Sequence, residues 1–266
     1  MYSIERYPLL NHNLTNWVKF IWHFKAENAD VHHKLLPMDS IDIVLNLADE
    51  MVYETKTNRV VAPTFHINGL RSSHSFIYQK GNIDVWGISF YAFGLYPFIN
   101  TSIKEFQDKI VDLNAVSKSL ENKLNIAVSP HATQPTFEGI VKALNSELQI
   151  DEDFLKKVEI INAFMNTDNM PIDAFCRNHD INQKTFERYV MIMTGYSPIN
   201  LRRVRRYKAA SNQLLFDASA KIPEIVYDHH YADQSHFTKV CRKFSGVPPR
   251  ICRLEKNTVL ENTTFI

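Results

Sequence analysis

Glycine is scarce in this chain: seven residues among 266. Too few stand together to build a glycine-rich phosphate loop. Cysteine is scarcer. Cys176, Cys241 and Cys252 make an odd number with no Cys-x-x-Cys pair. That argues against a disulfide framework or a structural zinc site and fits a reducing cytoplasm. No run approaches the roughly 20 apolar residues a bilayer span needs, so no membrane partner is expected. The opening "MYSIERYPLL" lacks a basic region followed by a long apolar run, so no secretory signal is read.

A charge surplus is missing too: the formal net charge is +1. That small number hides an asymmetry. From Pro171 to Arg253 there are 14 Lys plus Arg against 7 Asp plus Glu, a surplus of seven. The rest of the chain therefore carries a deficit of six. A basic segment beside an acidic one is the footprint of a nucleic-acid-binding module joined to something else. The length suffices for two modest domains, and 45% hydrophobic with 22% charged residues is ordinary for globular proteins.

Residues 1 to about 100 read as β-rich. "SIDIVLNLAD" (Ser40 to Asp49) and "DVWGISFYAF" (Asp84 to Phe93) alternate apolar and polar residues, which predicts strands with one buried face. All three tryptophans lie here. An antiparallel sandwich or small barrel is the natural way to bury such strands. From about residue 102 the period becomes helical. "FEGIVKALNSEL" and "DLNAVSKSLENKL" read as amphipathic helices separated by a loop at "SPHATQP". From Asp151 the reading is all helical. "DEDFLKKVEIINAFM" opens on three acids, with an apolar stripe of Phe154, Leu155, Val158, Ile161 and Met165. A domain boundary is expected between Gln149 and Asp151.

Two stretches of the basic segment share one layout: Met170 to Pro198 and Lys221 to Pro249. Each has a short amphipathic helix (Ile172, Phe175, Cys176; Ile222, Ile225, Val226) and then a tight polar turn. Each continues in a longer helix with a buried aromatic (Phe186; Phe237) and ends in Gly-x-x-Pro. This is the helix-turn-helix pattern, twice. In "SHFTKVCRKFSGVPP" the apolar Phe237, Val240, Cys241 and Phe244 share one face, while His236, Thr238, Lys239, Arg242 and Lys243 share the other. Between the two stretches, "LRRVRRYKAASNQLL" predicts a linking helix with Leu201, Val204 and Leu214 inside.

"IPEIVYDHHYADQSHFTKVCRKFSGVPPRICR" resembles the signature of the AraC/XylS family of bacterial transcriptional regulators, at Ile222, Ile225, Tyr231, Gln234, Ser235, Phe237, Phe244, Gly246, Val247, Pro248 and Pro249. "NQKTFERYVMIMTGYSP" resembles the family's first recognition helix, and "INLRRVRRYKAASNQLL" its linking helix. The likeness runs from about Asp151 to Arg253. His230 and Asp180 depart from it, standing where the family often has glycine in a left-handed turn. Glu187 departs as well, in a position that is more often neutral or basic.

The resemblance implies an α+β, two-domain fold. Residues 1–150 are then a cupin-like β-sandwich or barrel serving as sensor and dimerisation domain, with flanking helices from about 102. Residues 151–255 are an all-α DNA-binding domain with two helix-turn-helix motifs joined by a linker helix, and 256–266 a tail. It also implies DNA contacts at Gln183, Lys184, Glu187 and Arg188 in the first recognition helix. In the second it implies contacts at Gln234, Ser235, His236, Thr238 and Lys239. Arg202 and Arg205 of the linking helix are candidates for phosphate, and Arg206 for bracing the two halves. The partners so implied are double-stranded promoter DNA, RNA polymerase, a small-molecule effector and a second copy of the chain, with the cytoplasm as location.

The alternative is a metal-dependent cupin-type enzyme fused to a helical DNA-binding module. Seven of the eleven histidines lie in residues 1–150, including His32, His33 and His66. Against it, no His-x-His is followed at short range by a carboxylate. No catalytic residue, cofactor or metal site is therefore expected, and the cysteines read as small core residues. Trp22, Trp86, Phe90, Tyr91 and Phe93 suit either an effector pocket or an ordinary sheet core.

Overall fold

The computed structural model describes residues 2–10, 12–55, 58–167, 170–255 and 259–260. Among these, nine strands form one sheet: β1 (Tyr2–Tyr7), β2 (Val18–Leu35), β3 (Ser40–Asn46), β4 (Met51–Glu54), β5 (Arg59–Val61), β6 (Phe65–Asn68), β7 (Ser75–Tyr91), β8 (Ile110–Asp112) and β9 (Val259–Leu260). The order is β1-β2-β7-β3-β6-β8, and every pairing along that path is antiparallel. The backbone of β2 and β7 is one long ribbon. The register shifts between Ala26 and Ala29, where Asn28 takes a positive φ of 49°. Beyond this bulge β7 exchanges its neighbour β3 for β4, which lets the sheet curl.

The curl explains a departure from the expected alternation. All seven residues of β3 are buried, not one face of them. Ile41, Ile43 and Leu45 point into the large core beneath the helices, with Trp86, Ile88 and Phe90 beside them. Val44 points the other way, into a smaller cluster with Met51, Tyr53, Ile77, Ile83 and Val85. Asn46 is buried as well, but its amide is satisfied: Gln79 Nε2 donates to Asn46 Oδ1 (3.0 Å), and Asn46 Nδ2 to the Asp49 carbonyl (2.8 Å).

The helices are α1 (Tyr96–Ile99), α2 (Leu113–Val116), α3 (Lys118–Val128), α4 (Thr136–Glu147), α5 (Glu152–Met165), α6 (Ile172–Asn178), α7 (Gln183–Thr194), α8 (Pro198–Phe216), α9 (Ile222–Asp228), α10 (Gln234–Ser245) and α11 (Pro249–Leu254). The helical reading from 102 onward needs one correction. A 3-10 turn (Ile103–Phe106) leads into β8, which pairs with β6 before the helices begin. The helix expected over "DLNAVSKSLENKL" is also two, broken at Ser117, whose hydroxyl caps α3 by accepting from Leu120 N.

Asp151 caps α5 through its carboxylate, accepting from Phe154 N at 2.7 Å. The buried side of α5 is Phe154, Val158, Ile161 and Phe164, and Leu155 is 41% exposed instead of lying in the stripe. Phe154 packs on Tyr96 (5.8 Å between ring centroids) and Trp17 (5.3 Å), so the helical half is seated on the sheet half. One apolar core runs through both. Of the expected tail, 256–258 and 261–266 lie outside the described residues, while β9 pairs in parallel with β2 at Lys34 and Leu35.

Candidate nucleic-acid interface

The first motif is α6, a turn and α7. Its centre is a cluster of three phenylalanines, Phe164 edge-on to Phe175 and Phe186, with ring centroids 5.0 to 5.4 Å apart and all three fully buried. The second is α9, a turn and α10, built on Tyr231 against Phe237 (4.9 Å) and Tyr207 against Phe244 (4.8 Å). The turns share a central hydrogen bond and a left-handed residue, although the second (229–233) is one residue longer than the first (179–182). Ile181 N donates to the Cys176 carbonyl and Tyr231 N to the Val226 carbonyl, both at 2.9 Å. Asp180 (φ 52°) and His230 (φ 53°) hold the left-handed position of their turns. Asn182 and Asp233 then cap α7 and α10, accepting from Thr185 N and His236 N.

The repeat extends to a pair that the sequence reading passed over. Thr194 Oγ1 donates to the Val190 carbonyl (2.7 Å) and Ser245 Oγ to the Cys241 carbonyl (2.8 Å), and both residues are fully buried. Each hydroxyl stands just before the left-handed glycine, Gly195 or Gly246, that ends its helix. The signal was in the sequence as a hydroxyl before glycine in both copies. Arg253 was missed as well. It ties the end of the second motif to α8 by donating to the carbonyls of Leu214 (3.1 Å) and Ala220 (2.6 Å).

With these cores inside, α7 exposes Gln183, Lys184 and Arg188, and α10 exposes Gln234, Ser235, His236 and Lys239. Glu187 and Thr238 are half-buried. Gln183 Nε2 donates to Glu187 Oε1 at 2.8 Å, so the carboxylate that departs from the family pattern is engaged by a neighbour one turn away. Tyr231 meets the His236 ring edge-on at 5.4 Å. Both polar faces begin at a helix N-terminus, where backbone N–H groups favour an anion.

Arg202 is a correction. Its guanidinium faces inward. It lies 3.5 Å above the Phe164 ring and donates to the carbonyls of Met170 and Phe164 and to Thr167 Oγ1. Its donors hold α5 to α8 and are not turned to a phosphate. Arg205 is exposed and donates once, to the Met165 carbonyl (3.1 Å). Arg206 reaches the His230 carbonyl (3.4 Å) and lies 6.0 Å from the Tyr231 ring centre, between α8 and the second turn.

In the sheet half, the histidines do not converge. Exposed His32 stacks on Tyr78 (4.5 Å). His33, next along the strand, lines a small apolar cavity of ≈ 50 Å³ with Phe20, Trp22, Val31, Ile77 and Val85. His66 is fully buried between Tyr53 and the Pro63 carbonyl. Among the described residues no three His, Cys, Asp or Glu side chains stand together as a metal site. Of the aromatics that suited a pocket, only Trp22 lines this cavity; Trp86, Phe90 and Phe93 belong to the core under the helices. All three cysteines are free and buried, and burial raises the Cys176 and Cys241 thiols, which keeps them protonated and inert. No helix among the described residues is long and apolar enough to cross a membrane.

Residues 175–254 match the family model described as a helix-turn-helix domain. This is an AraC-type helix-turn-helix domain. Residues 11–112 match a second model, described as a domain of unknown function (DUF6597). No curated protein matches the chain. Among solved structures, ToxT from Vibrio cholerae O395 aligns over 100% of this chain and 98% of its own, at 13% identity and a TM-score of 0.46. The C-terminal domain of AraT, a response regulator from Geobacillus stearothermophilus, aligns over 41% of this chain and 86% of its own (21% identity, TM-score 0.32). The AraC-like transcriptional activator CuxR aligns over 79% and 87% (12% identity, TM-score 0.34). The AraC-type domain described above therefore rests on its own geometry and on the family match.

Proposed function

We propose that this protein binds double-stranded promoter DNA in a sequence-specific way, with α7 and α10 lying in successive major grooves, about 34 Å apart along the duplex. The observation that carries the reading is the doubled geometry. Two helices have similarly bonded turns, matching caps and apolar faces locked in a core, and each leaves a polar face free. Lys184 and Arg188 with Gln183 and Glu187, and Gln234, Ser235, His236, Thr238 and Lys239, form the two reading faces. Arg and Gln side chains pair with guanine and adenine edges, while Lys anchors bases or phosphates. Arg205 flanks them on the phosphate side; Arg202 is withdrawn from that role.

Residues 1–150 are read as the unit that responds, to a small effector or to pairing with a second copy, and residues 151–255 as the unit that binds DNA, in contact with RNA polymerase at a promoter. On this reading the protein has no turnover of its own. The test is selection of duplexes from a random-sequence library by the full-length chain, followed by mobility-shift titration at several salt concentrations. Two short conserved blocks one helical turn apart are expected, with affinity falling as salt rises. Failure to enrich any sequence overturns the reading.

A further inference from the structure

Both recognition helices end against one loop of the sheet half. The left-handed glycine that stops α7, Gly195, is so close to Leu70 that an added β-carbon would lie 2.7 Å from Leu70 Cδ1. The glycine that stops α10, Gly246, is seated in the same way on the His74 imidazole, where a β-carbon would collide. His74 is four positions on from Leu70, so both helix ends converge on a span of about 14 Å at most. Between them, Tyr196, the residue after Gly195, donates its buried hydroxyl to the Arg71 carbonyl at 3.0 Å.

The loop is held from its other side as well. Gly69 N donates to the Lys109 carbonyl (3.1 Å), Asp108 N to the Leu70 carbonyl (2.7 Å) and Ser72 N to Asp108 Oδ1 (2.7 Å). Arg71 sends its side chain into the sheet interior, beside Asn68 and over the Tyr53 ring. A loop bonded at four consecutive residues, 69 to 72, is a stiff stop, not a soft contact. Helix α8 joins the two motifs covalently at one place. The loop ties their recognition helices together at a second, and two ties fix an angle that one tie leaves free.

We propose that residues 69–74 of the sheet half are the gauge that sets the separation of the two recognition helices, with Leu70 and His74 as its positioning residues. They touch no base and instead decide which half-site spacing the protein accepts. This rests on the DNA-binding reading above.

The experiment uses the full-length chain, the doubly substituted Leu70→Ala/His74→Ala variant and the milder Leu70→Met. Duplexes selected by the parent from a random library are remade with the blocks one base pair closer or farther apart. The parent should lose about tenfold in affinity for each altered spacing, and the double variant should lose little, with Leu70→Met in between. An unchanged spacing profile overturns the proposal. So does an equal change on every duplex, which would mark a general brace or a general inhibitor. A second readout needs no DNA: amide hydrogen exchange across residues 193–196 and 244–247. Leu70→Ala should speed exchange by about tenfold at both helix ends, including the Gly246 end that it does not touch. A change confined to the Gly195 end overturns the gauge. If the parent selects no duplex, the DNA-binding reading fails on its own and the exchange result still decides whether the loop couples the two ends.

Discussion

Lys208 of the linking helix reaches across the domain boundary to Asp39, Nζ to Oδ1 at 2.8 Å, and Lys19 of β2 shares the same oxygen at 3.2 Å. All three are largely buried. Burial alone would raise the Asp39 carboxyl, but the two ammonium groups more than reverse this and hold it far below the usual carboxylate range. Lys19 is pushed down to about 8 by its burial, against the pull of Asp39. Asp39→Asn leaves two buried lysines facing each other without a counter-charge. It should cost about 3–5 kcal/mol in urea unfolding, whereas Lys208→Met, which leaves one matched pair, should cost much less. The depressed Asp39 value stabilises the fold above the unfolded carboxylate value of about 3.9, and that contribution is lost as pH falls below it. Asp39→Asn should therefore flatten the acid limb of the stability profile. A variant as stable as the parent would show that the triad is neutral.

His66 sets a second pH dependence. Its Nδ1–H donates to the Pro63 carbonyl at 2.8 Å, and its Nε2 accepts from the Tyr53 hydroxyl at 3.1 Å, so the neutral ring is fully satisfied. Burial lowers it from 6.5 to about 4. Between those values the unfolded chain binds a proton that the folded one refuses, so stability falls as pH drops from 6.5 towards 4. The loss is of the order of 3 kcal/mol when the window is crossed. His66→Gln should remove that slope in thermal melts at pH 7, 6 and 5, at the expense of some stability at pH 7. A parallel slope in parent and variant would assign the acid sensitivity elsewhere.

The two turns carry strain that glycine can relieve. His230 sits at φ 53° and Asp180 at φ 52°, in the left-handed region that costs a residue with a β-carbon about 1–2 kcal/mol. His230→Gly keeps the carbonyl that accepts from Arg206 and frees the backbone. Part of the gain is offset by the greater freedom of glycine in the unfolded chain, so a net stabilisation of up to about 1 kcal/mol is expected. Asp180→Gly should behave alike. Destabilisation by both would mean that their side chains do more in the turns than occupy them.

The helical half was legible because its signals are local. Phe186 and Phe237 and the glycine stops repeat at one spacing, a polar turn precedes each longer helix, and the buried faces follow from a period of 3.6. The left-handed Asp180 and His230 were readable as departures from a family pattern. What did not show was where side chains go in three dimensions. Arg202 looks like any arginine of a basic helix, and only the fold brings Phe164, Thr167 and the Met170 carbonyl to it. The alternation in Ser40 to Asn46 signalled a strand correctly but not its burial on both faces, because curling is set at the distant bulge between Ala26 and Ala29. Asp39 and Lys208 are 169 residues apart, and no periodicity connects them.

Specificity and anchoring can be separated within the two reading faces. Arg188 is exposed one turn beyond Lys184, and a guanidinium there can span guanine O6 and N7. It also lines a groove with residues from the start of α5, and being exposed it is not part of the buried core of α7, so its removal leaves that core untouched. Arg188→Ala should cost about 1–3 kcal/mol on the selected duplex and relax the preference at one base pair. Lys239 is exposed one turn past Ser235. As a phosphate anchor, Lys239→Ala should weaken all duplexes about equally and lower the salt slope by about one unit. Phe237 is the control: it is fully buried, and Phe237→Ala should cost about 3–5 kcal/mol of stability without a change in base preference in the molecules that fold. Competition titrations against single-base variants at two salt concentrations, with melting curves for each protein, distinguish the three. If Arg188→Ala, still folded, binds selected and scrambled duplexes as the parent does, then α7 does not read the major groove through this face.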